Sequence, residues 1–181
     1  MTTIELTPGT WILDQAHTEV GFAVRHAGIS KVRGQFAEAD ATLVVGHTLG
    51  TSSLEASVKT ASFDSKNNDR DAHVKGPDFF NVELFPNMTF TATEVQGTPE
   101  KFSLSGDLTI KETTRPVTFG VEFGGVAIDP FGATRAGFSA SAQISRKEFG
   151  ITWNAALEAG GVLVGDKVTI TIDSAFVLPA S

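Results

Sequence analysis

Apolar and polar residues alternate strictly through much of the chain, and this period of two constrains the fold more than any other feature of the sequence. In FSLSGDLTI, residues 102–110, Phe102 and Leu104 share one parity with further aliphatic residues. Ser103 and Asp107 occupy the other parity. Successive side chains of a β-strand point to opposite faces, so this pattern predicts a strand with one buried and one exposed face.

The same pattern recurs along the chain and predicts about eight strands. They lie at residues 19–26, 34–45, 54–61, 88–95, 102–110, 117–123, 135–145 and 167–176. Residues 111–116, KETTRP, have the composition of a hairpin turn between two of these strands. Because most predicted strands follow one another closely, we expect a mainly β fold in which an antiparallel sheet curls into a barrel or a sandwich.

The predicted strand 135–145 carries small side chains on its inward face. This inward row consists of Ala136, Phe138, Ala140, Ala142 and Ile144. One interpretation is that bulky residues from across the interior fill the space, because protein interiors are packed to crystal-like density. The other interpretation is a cavity, since an eight-stranded barrel can hold one small ligand.

Residues 71–86, DAHVKGPDFFNVELFP, interrupt the strand pattern with helical signals. Asn67 or Asn68 is the predicted N-cap of a short helix with acidic residues in its first turn. Gly76 followed by Pro77 is a typical helix stop, and Pro77 also suits the first position of a second helical turn. We therefore expect a short helical insertion in the β-rich chain.

Length, charge and composition exclude several classes of protein. The chain of 181 residues suits a single domain over residues 1–181, and it contains no cysteine for disulfides or thiolate metal sites. The formal net charge of −7 disfavours nucleic acid as a partner. No stretch is apolar for long enough to span a bilayer as a helix, and the N-terminus lacks the pattern of a signal peptide. We therefore expect a cytoplasmic protein without a transmembrane segment.

The histidines do not form a recognisable catalytic or metal-binding motif. They are His17, His26, His47 and His73, and their spacing is neither HxH nor HExxH. A GxSxG nucleophile motif is also missing. Asp69 and His73, four residues apart on the predicted helix, are more typical of a surface pair than of a metal site. We therefore predict no enzyme, no catalytic residue, no metal and no cofactor; a metal-assisted hydrolase using His17, His26 or His73 is a lower-ranked alternative.

The basic residues form two short runs despite the negative net charge. They are Arg25, His26, Lys31 and Arg33, and Lys66, Arg70, His73 and Lys75. Such runs are usually solvated loop faces, but at one barrel mouth they would form a site for a phosphate or carboxylate head group. His26 shares the parity of Phe22 and Val24, and it is either a rim residue or a polar anchor for a ligand.

Four longer segments carry a more specific signal when they are taken together. They are WILDQAHTEVGFAVRHAGISKVRGQF, SFDSKNNDRDAHVKGPDFFNVELFPNMTF, GDLTIKETTRPVTF and RAGFSASAQISRKEFGI. From Trp11 to Phe176 the chain resembles the YceI-like family of bacterial polyisoprenoid-binding, lipocalin-like proteins. The resemblance implies an eight-stranded antiparallel lipocalin-like barrel with a short helical insertion and an apolar channel for an isoprenoid or similar lipid. Many members of this family are exported with a signal peptide, whose pattern is not seen here.

The resemblance and the strand parity together predict the ligand-binding residues. The apolar channel positions are Phe22, Val24, Phe36, Phe63, Phe79, Phe80, Phe90, Phe138 and Phe149. His26 and Arg70 are added as polar positions, and Ala140 as the small position that leaves space.

We therefore expect non-enzymatic binding of a long-chain isoprenoid, for storage, transport or sequestration. A fatty acid or fatty amide is the alternative ligand on the same fold, because burial of apolar area does not distinguish the two chains. The alternative of another class is a ligand-free structural or stress-associated interaction protein whose barrel is filled by its own side chains. Exposed sheet edges further suggest a homodimer.

Overall fold

Eleven strands and one α-helix are present in the computed structural model, which describes residues 6–155 and 163–179. The strands are β1 (Gly9–Leu13), β2 (Glu19–His26), β3 (Ser30–Phe36), β4 (Ala39–Val45), β5 (Ser53–Lys59), β6 (Phe63–Asp64), β7 (Asn87–Gly97), β8 (Lys101–Ile110), β9 (Thr113–Ile128), β10 (Thr134–Ser145) and β11 (Val164–Leu178). The helix α1 spans Asn68–Lys75, and short 3-10 helices lie at Gln15–His17, Leu49–Thr51, Thr60–Ser62 and Arg146–Phe149.

Eight of the strands close into an antiparallel barrel. In order around the barrel they are β1, β4, β5, β7, β8, β9, β10 and β11. The barrel closes where Leu13 of β1 pairs with Phe176 of β11. Closure removes the unpaired strand edges that an open sheet would expose. The predicted eight-stranded antiparallel barrel is confirmed.

The remaining strands, β2, β3 and β6, extend the barrel wall at one end. β11 is long enough to pair with β1 near its C-terminus and with β2 along its N-terminal part, where Val168 lies opposite Val24. β3 pairs with β2, and the two-residue β6 pairs with β3, where Phe63 lies opposite Phe36. β1 and β2 thus occupy successive lengths of one position around the barrel.

The predicted short helix is present with the expected bounds, but the further helical turn predicted after it is not. Asn67 caps α1, because its side-chain oxygen accepts a hydrogen bond from the N–H of Arg70 at 3.0 Å. The helix ends before Gly76, as predicted. The expected second helical turn over residues 77–84 is not formed: the chain there makes hydrogen-bonded turns, with Asn81 in the left-handed region at φ 49°.

The turns of segment 76–86 lie where the wall has no strand pairing. Among the described strands, β6 is the last in the sheet order and does not pair with β7. Thr60, which is 1% exposed, donates its N–H to the carbonyl of Pro86 at 3.0 Å and its hydroxyl to the carbonyl of Phe85 at 2.8 Å. These bonds fix the turns beside the start of β7.

The strand predicted over residues 34–45 is divided in two. β3 ends at Phe36 and β4 begins at Ala39. Between them, the N–H of Ala37 donates to the carbonyl of Ser62 at 3.1 Å. The chain thereby passes from a strand that pairs with β6 to one that pairs with β5, a change that depends on residues distant in sequence.

Two further details differ from the prediction. The turn between β8 and β9 consists of Lys111 and Glu112 alone, so residues 113–116 belong to β9 and not to the turn. Pro116 is tolerated there because β9 pairs with β10 only from Gly120 onward, and proline is accepted where a strand has a free edge. The prediction also omits β1, whose five residues are too short to show the alternation.

The interior beside the barrel closure is filled by side chains. Trp11 is fully buried in a cluster with Ala136 and Phe176. The small side chain of Ala136 is 1% exposed in this cluster, so at this level the alanine row is covered by bulky side chains. A larger cluster that includes Phe90 and Phe149 lies further along the barrel.

Charged side chains tie the end of β1 to the β9–β10 hairpin. Asp14 accepts hydrogen bonds from Arg135 and, at 2.7 Å, from Nδ1 of His17. Nε of Arg135 also donates to Asp129 at 2.9 Å. Hydrogen bonding to the Arg135 guanidinium lowers the pKa of Asp14 and that of Asp129 from their ordinary values.

Asp14→Asn should make the protein less stable at neutral pH and less sensitive to acid. A carboxyl group whose pKa is lower in the folded state stabilises the fold above its unfolded pKa, near 3.8. This contribution is lost as the pH falls through the folded pKa, so the urea midpoints of variant and wild type should converge at acid pH. Glu122→Gln, in an exposed pair with Lys101 at 4.0 Å, is the control and should change little. A stability difference that stays constant into acid would contradict this role of Asp14.

Two glycines leave room for phenylalanine rings on the inner face of the wall. A β-carbon added at Gly34 would lie 2.4 Å from Cζ of Phe22, the residue opposite it on β2. A β-carbon added at Gly106 would lie 2.5 Å from Cζ of Phe90. Both rings therefore lie over glycines of the neighbouring strands.

Gly34→Ala should destabilise the barrel, whereas Gly120→Ala should not. The added methyl group at Gly34 meets the Phe22 ring and, at 2.8 Å, the carbonyl oxygen of Asp64, and overpacking of this kind costs about 1–3 kcal/mol. The same methyl group at Gly120 meets no atom within 4 Å. Urea unfolding of both variants measures the difference, and equal free energies of unfolding would show that Phe22 and Asp64 move aside without cost.

Candidate ligand-binding cavity

The barrel encloses a cavity of about 920 Å³. Apolar side chains from many strands form most of its wall. Half-buried examples are Val20, Val24, Leu54, Leu104, Ile170 and Ile172. The volume lies near the top of the range of about 300–1,000 Å³ that is typical of small-molecule sites.

Two residues of the alanine row lie in different surroundings. Ala140 lies between Val121 of β9 and Ile172 of β11, and it lines the cavity. Ala136 by contrast packs in the Trp11 cluster. The two interpretations of the alanine row are therefore both correct, at different levels of the barrel.

An aromatic cluster forms the wall where β2, β3 and β6 meet segment 76–86. The ring of Phe22 stacks on Phe63 with centroids 5.0 Å apart. Phe80 contacts the edge of Phe36 with centroids 5.6 Å apart. Because β6 has no further strand partner, Phe80 continues the apolar lining past the end of the sheet.

Phe79 and Phe80 both face the cavity but belong to different groups of side chains. Phe79 is buried, and its ring centroid lies 5.1 Å from that of His73 and 5.5 Å from that of Trp153. Phe80 packs instead with Phe36 and its neighbours. The adjacent phenylalanines therefore join α1 to two separate parts of the wall.

Phe90 and Phe138 lie further along the barrel. Phe90 contacts Phe119 edge to face, with centroids 5.2 Å apart. Phe138 lies 5.3 Å from Phe123 and 6.0 Å from Phe176 by ring centroids. Phe138, Phe123 and Phe176 all line the cavity, which therefore reaches the cluster beside the barrel closure.

Polar side chains of α1 are fixed by the loop that follows β6. Arg70 donates from Nε to the hydroxyl of Ser65 and from its terminal nitrogen to the carbonyl of Ser65, both at 2.8 Å. The buried carboxylate of Asp71 accepts from the N–H of Ser65 at 3.0 Å. The carboxylate beside His73 is that of Asp78, at 2.9 Å from Nε2, and not that of Asp69 as the helix spacing suggests.

Arg146 is a polar residue of the cavity wall that the sequence does not single out. It is 5% exposed, and its guanidinium donates to the carbonyls of Ile151, Trp153, Val164 and Gly165 at 2.8–3.1 Å. Burial lowers the pKa of Arg146, and the charge of Asp166 opposes that shift. Only the segment RAGFSASAQISRKEFGI, taken as a whole, hints at this position.

All of the predicted site residues lie on the lining of this one cavity. They are Phe22, Val24, His26, Phe36, Phe63, Arg70, Phe79, Phe80, Phe90, Phe138, Ala140 and Phe149. Their role in ligand binding stays a prediction. Arg25 and His73 also bring both basic runs to the lining. Ile151 and Trp153 line the cavity as well, although no alternating pattern predicts them.

Neither a metal cluster nor a spanning helix is found within residues 6–155 and 163–179. No group of three or more His, Asp or Glu side chains there is placed to hold a metal ion. The helix in these ranges is not long and apolar enough to cross a membrane.

The chain is similar in sequence and in structure to several known proteins. A family model described as the YceI-like domain matches residues 11–176. The chain is 38% identical over 166 residues to a UPF0312 protein of Staphylococcus epidermidis, an alignment that covers 90% of this chain and 94% of the relative. It is 31% identical to the Campylobacter jejuni YCEI protein, whose crystal structure matches with a TM-score of 0.71 over 93% of this chain and 97% of that one.

A third likeness is to a polyisoprenoid binding domain from Saccharophagus degradans that is implicated in plant cell wall breakdown. Its structure matches with a TM-score of 0.67 over 96% of this chain and 100% of that one. The sequence identity is 9%, so this likeness shows the fold alone.

Phe80→Ala should weaken the binding of an apolar ligand and lower the stability. Loss of a ring that lines the cavity removes ligand contacts, and substitution of a buried phenylalanine by alanine costs about 3–5 kcal/mol, less for a half-buried ring. Binding of a prenyl alcohol per folded molecule separates the two effects. Phe131→Ala, at a position 92% exposed, is the control. Unchanged binding by the folded fraction would mean that Phe80 only plugs the wall.

Proposed function

Because the chain belongs to the family of YceI-like domains, we propose that it binds a long-chain isoprenoid-type lipid in the barrel cavity without transforming it. Storage, transport or sequestration of the lipid would be its role. The observation that carries this proposal is the apolar cavity of about 920 Å³ inside a closed barrel. The polyisoprenoid binding domain of Saccharophagus degradans shares the fold, so the proposed ligand class is one that its description names for a barrel of this kind.

The cavity has a suitable size for such a chain. At about 30 Å³ per heavy atom, the volume of one water in the liquid, the cavity of about 920 Å³ corresponds to about 30 atoms. This number equals about six isoprene units of five carbons each. A chain of that length would use the available space, whereas a single small ring would leave most of it empty.

Burial of such a chain supplies enough free energy for binding. Each isoprene unit contributes at most roughly 4 kcal/mol at about 0.8 kcal/mol per buried carbon. Micromolar affinity needs about −8 kcal/mol net, and association itself costs about 4–15 kcal/mol. Burial of four to six isoprene units therefore supplies about enough free energy to offset the cost of association and to leave micromolar affinity.

The polar residues of the lining support an orientation for the ligand. Arg70, His73 and His26 lie on the wall, whereas the inner face around Leu104 and Ile172 is apolar. A polar or anionic head group would therefore lie beside Arg70, which already holds Ser65 through two hydrogen bonds and keeps further N–H groups. The chain of the lipid would extend towards Phe138.

A fatty acyl chain is the second candidate ligand. The same apolar wall would bury a straight chain of equal area with equal free energy, so area does not favour either class. The two chains differ in shape, because only the prenyl chain carries branched methyl groups. Comparative binding decides between the two.

The test is lipid content, measured on Ala140→Leu beside a matched substitution. Organic extraction and mass spectrometry of the purified wild type should recover a prenyl lipid, and Ala140→Leu should reduce its amount because leucine enters the cavity. Ser141→Leu, on the exposed outer face of the same strand, should keep it. Quenching of Trp153, whose ring lines the cavity, then compares prenyl alcohols with fatty acids of equal length.

The stability of the same variants completes the test. In a barrel with free space, Ala140→Leu keeps its free energy of unfolding; in a filled barrel it loses about 1–3 kcal/mol. Tighter binding of acyl chains would favour the second ligand class. No bound lipid, no quenching and a strained Ala140→Leu variant together would overturn the proposal.

A further inference from the structure

The β2–β3 hairpin carries an exposed apolar side chain at its tip. Ile29 is 88% exposed and lies within the turn that the pair His26 and Ser30 closes. Ala27 and Gly28 precede it, both in the left-handed region at φ 53° and 73°. The tight turn thereby presents an isoleucine to solvent at the end of the barrel wall.

Three cations lie beside this tip on the hairpin, and one of them, Arg25, also lines the cavity. Arg25 and Lys31 are direct cross-strand neighbours, and Arg33 follows opposite Ala23. All three are exposed, and none forms an ion pair with the residues that the structure describes. The sequence has no acidic residue from 20 to 37, so the hairpin is locally positive on a chain of net charge −7.

The same hairpin forms part of the cavity wall. Val24 and Val32, a cross-strand pair, line the cavity together with Arg25 and His26. Whatever surface the tip contacts therefore lies beside one end of the cavity.

We propose that the β2–β3 hairpin docks the barrel on anionic lipid bilayers. Ile29 would enter the headgroup region, and Arg25, Lys31 and Arg33 would lie against the lipid phosphates. An apolar tip with cations beside it is the combination that binds such surfaces, because apolar burial and attraction to anionic lipids act together.

The negative charge of the rest of the chain does not prevent this contact. At 0.1 M salt, charges interact over about 10 Å. The nearest carboxylates along the two strands, Glu19 and Glu38, lie at their far ends, about 20 Å from the tip at the rise of a β-strand. On the neighbouring strand β11, Asp166 follows Gly165, which lies beside Arg25, and the Asp166 carboxylate accepts hydrogen bonds from the hydroxyl of Ser145 and the N–H of Lys147. The hairpin itself would therefore present cations and no carboxylate to the bilayer.

The opposite end of the barrel has an exposed apolar tip of different charge. Ile128 and Phe131 of the β9–β10 hairpin are 75% and 92% exposed. Their neighbouring cation, Arg135, is already bonded to Asp14 and Asp129. That tip offers apolar area without free positive charge, so it serves as the internal comparison.

Flotation with vesicles tests the docking directly. The wild type should bind vesicles of phosphatidylglycerol and phosphatidylcholine at 0.1 M salt, and release them at 1 M salt, where screening acts within about 3 Å. Lys31→Gln with Arg33→Gln should weaken binding about 25-fold, at roughly fivefold per cation near an anionic surface. Ile29→Ser should weaken it about tenfold, because the apolar side chain no longer enters the interface.

Two control variants match these changes elsewhere on the barrel. Lys101→Gln with Arg115→Gln alters the net charge equally at exposed positions of β8 and β9, and Phe131→Ser removes the other apolar tip. Both should bind vesicles like the wild type. Failure of the wild type to bind, equal binding to pure phosphatidylcholine, or loss of binding in a control variant alone would overturn the proposal. The measurement requires no lipid in the cavity, so its outcome is independent of the proposed isoprenoid ligand.

Discussion

The pairing of β1 with β11 is the contact on which the remaining structure depends. It converts a row of half-buried strands into a closed wall, and closure fixes the diameter of the interior. Trp11 fills that interior beside the closure, while Asp14 and Arg135 hold the same region from outside. The cavity nevertheless reaches this region, because Leu13, Val45 and Phe176 of the same cluster line it. The cavity is therefore a consequence of closure at a diameter that the inward side chains leave partly unfilled.

A closed ring alone would not give a long cavity, because eight strands of ordinary length leave little depth. The extension by β2, β3 and β6 adds depth at one end. In the described part of the sheet no strand pairs with the free edge of β6, so the wall has a gap in its strand pairing there. Segment 76–86 completes the wall there with side chains in place of backbone pairing. Phe80 and Phe79 belong to this substitute wall, which explains why a β-rich chain interrupts itself with a helix and a run of turns.

Much of this architecture could be predicted from the sequence, because alternation is a local property. The parity of Phe22 and of Phe138 places each on the inner face without knowledge of any partner strand. The division between β3 and β4 could not be predicted, since it depends on the bond from Ala37 to Ser62. Arg146 was hidden for the same reason: its four carbonyl partners come from two separate stretches of chain. The alternation of residues within one strand predicts which face a side chain occupies, but it does not predict contacts between separate elements.

The half-buried inner wall has a thermodynamic consequence. Residues such as Val24 and Ile172 remain half-buried in the folded protein. Their side chains therefore contribute less hydrophobic stabilisation than fully buried side chains would. A ligand that binds only the folded state adds RT ln(1 + [L]/Kd), about 2.7 kcal/mol at a hundredfold excess over Kd. Folding and occupancy are then linked equilibria, and the empty barrel is the less stable of two folded species.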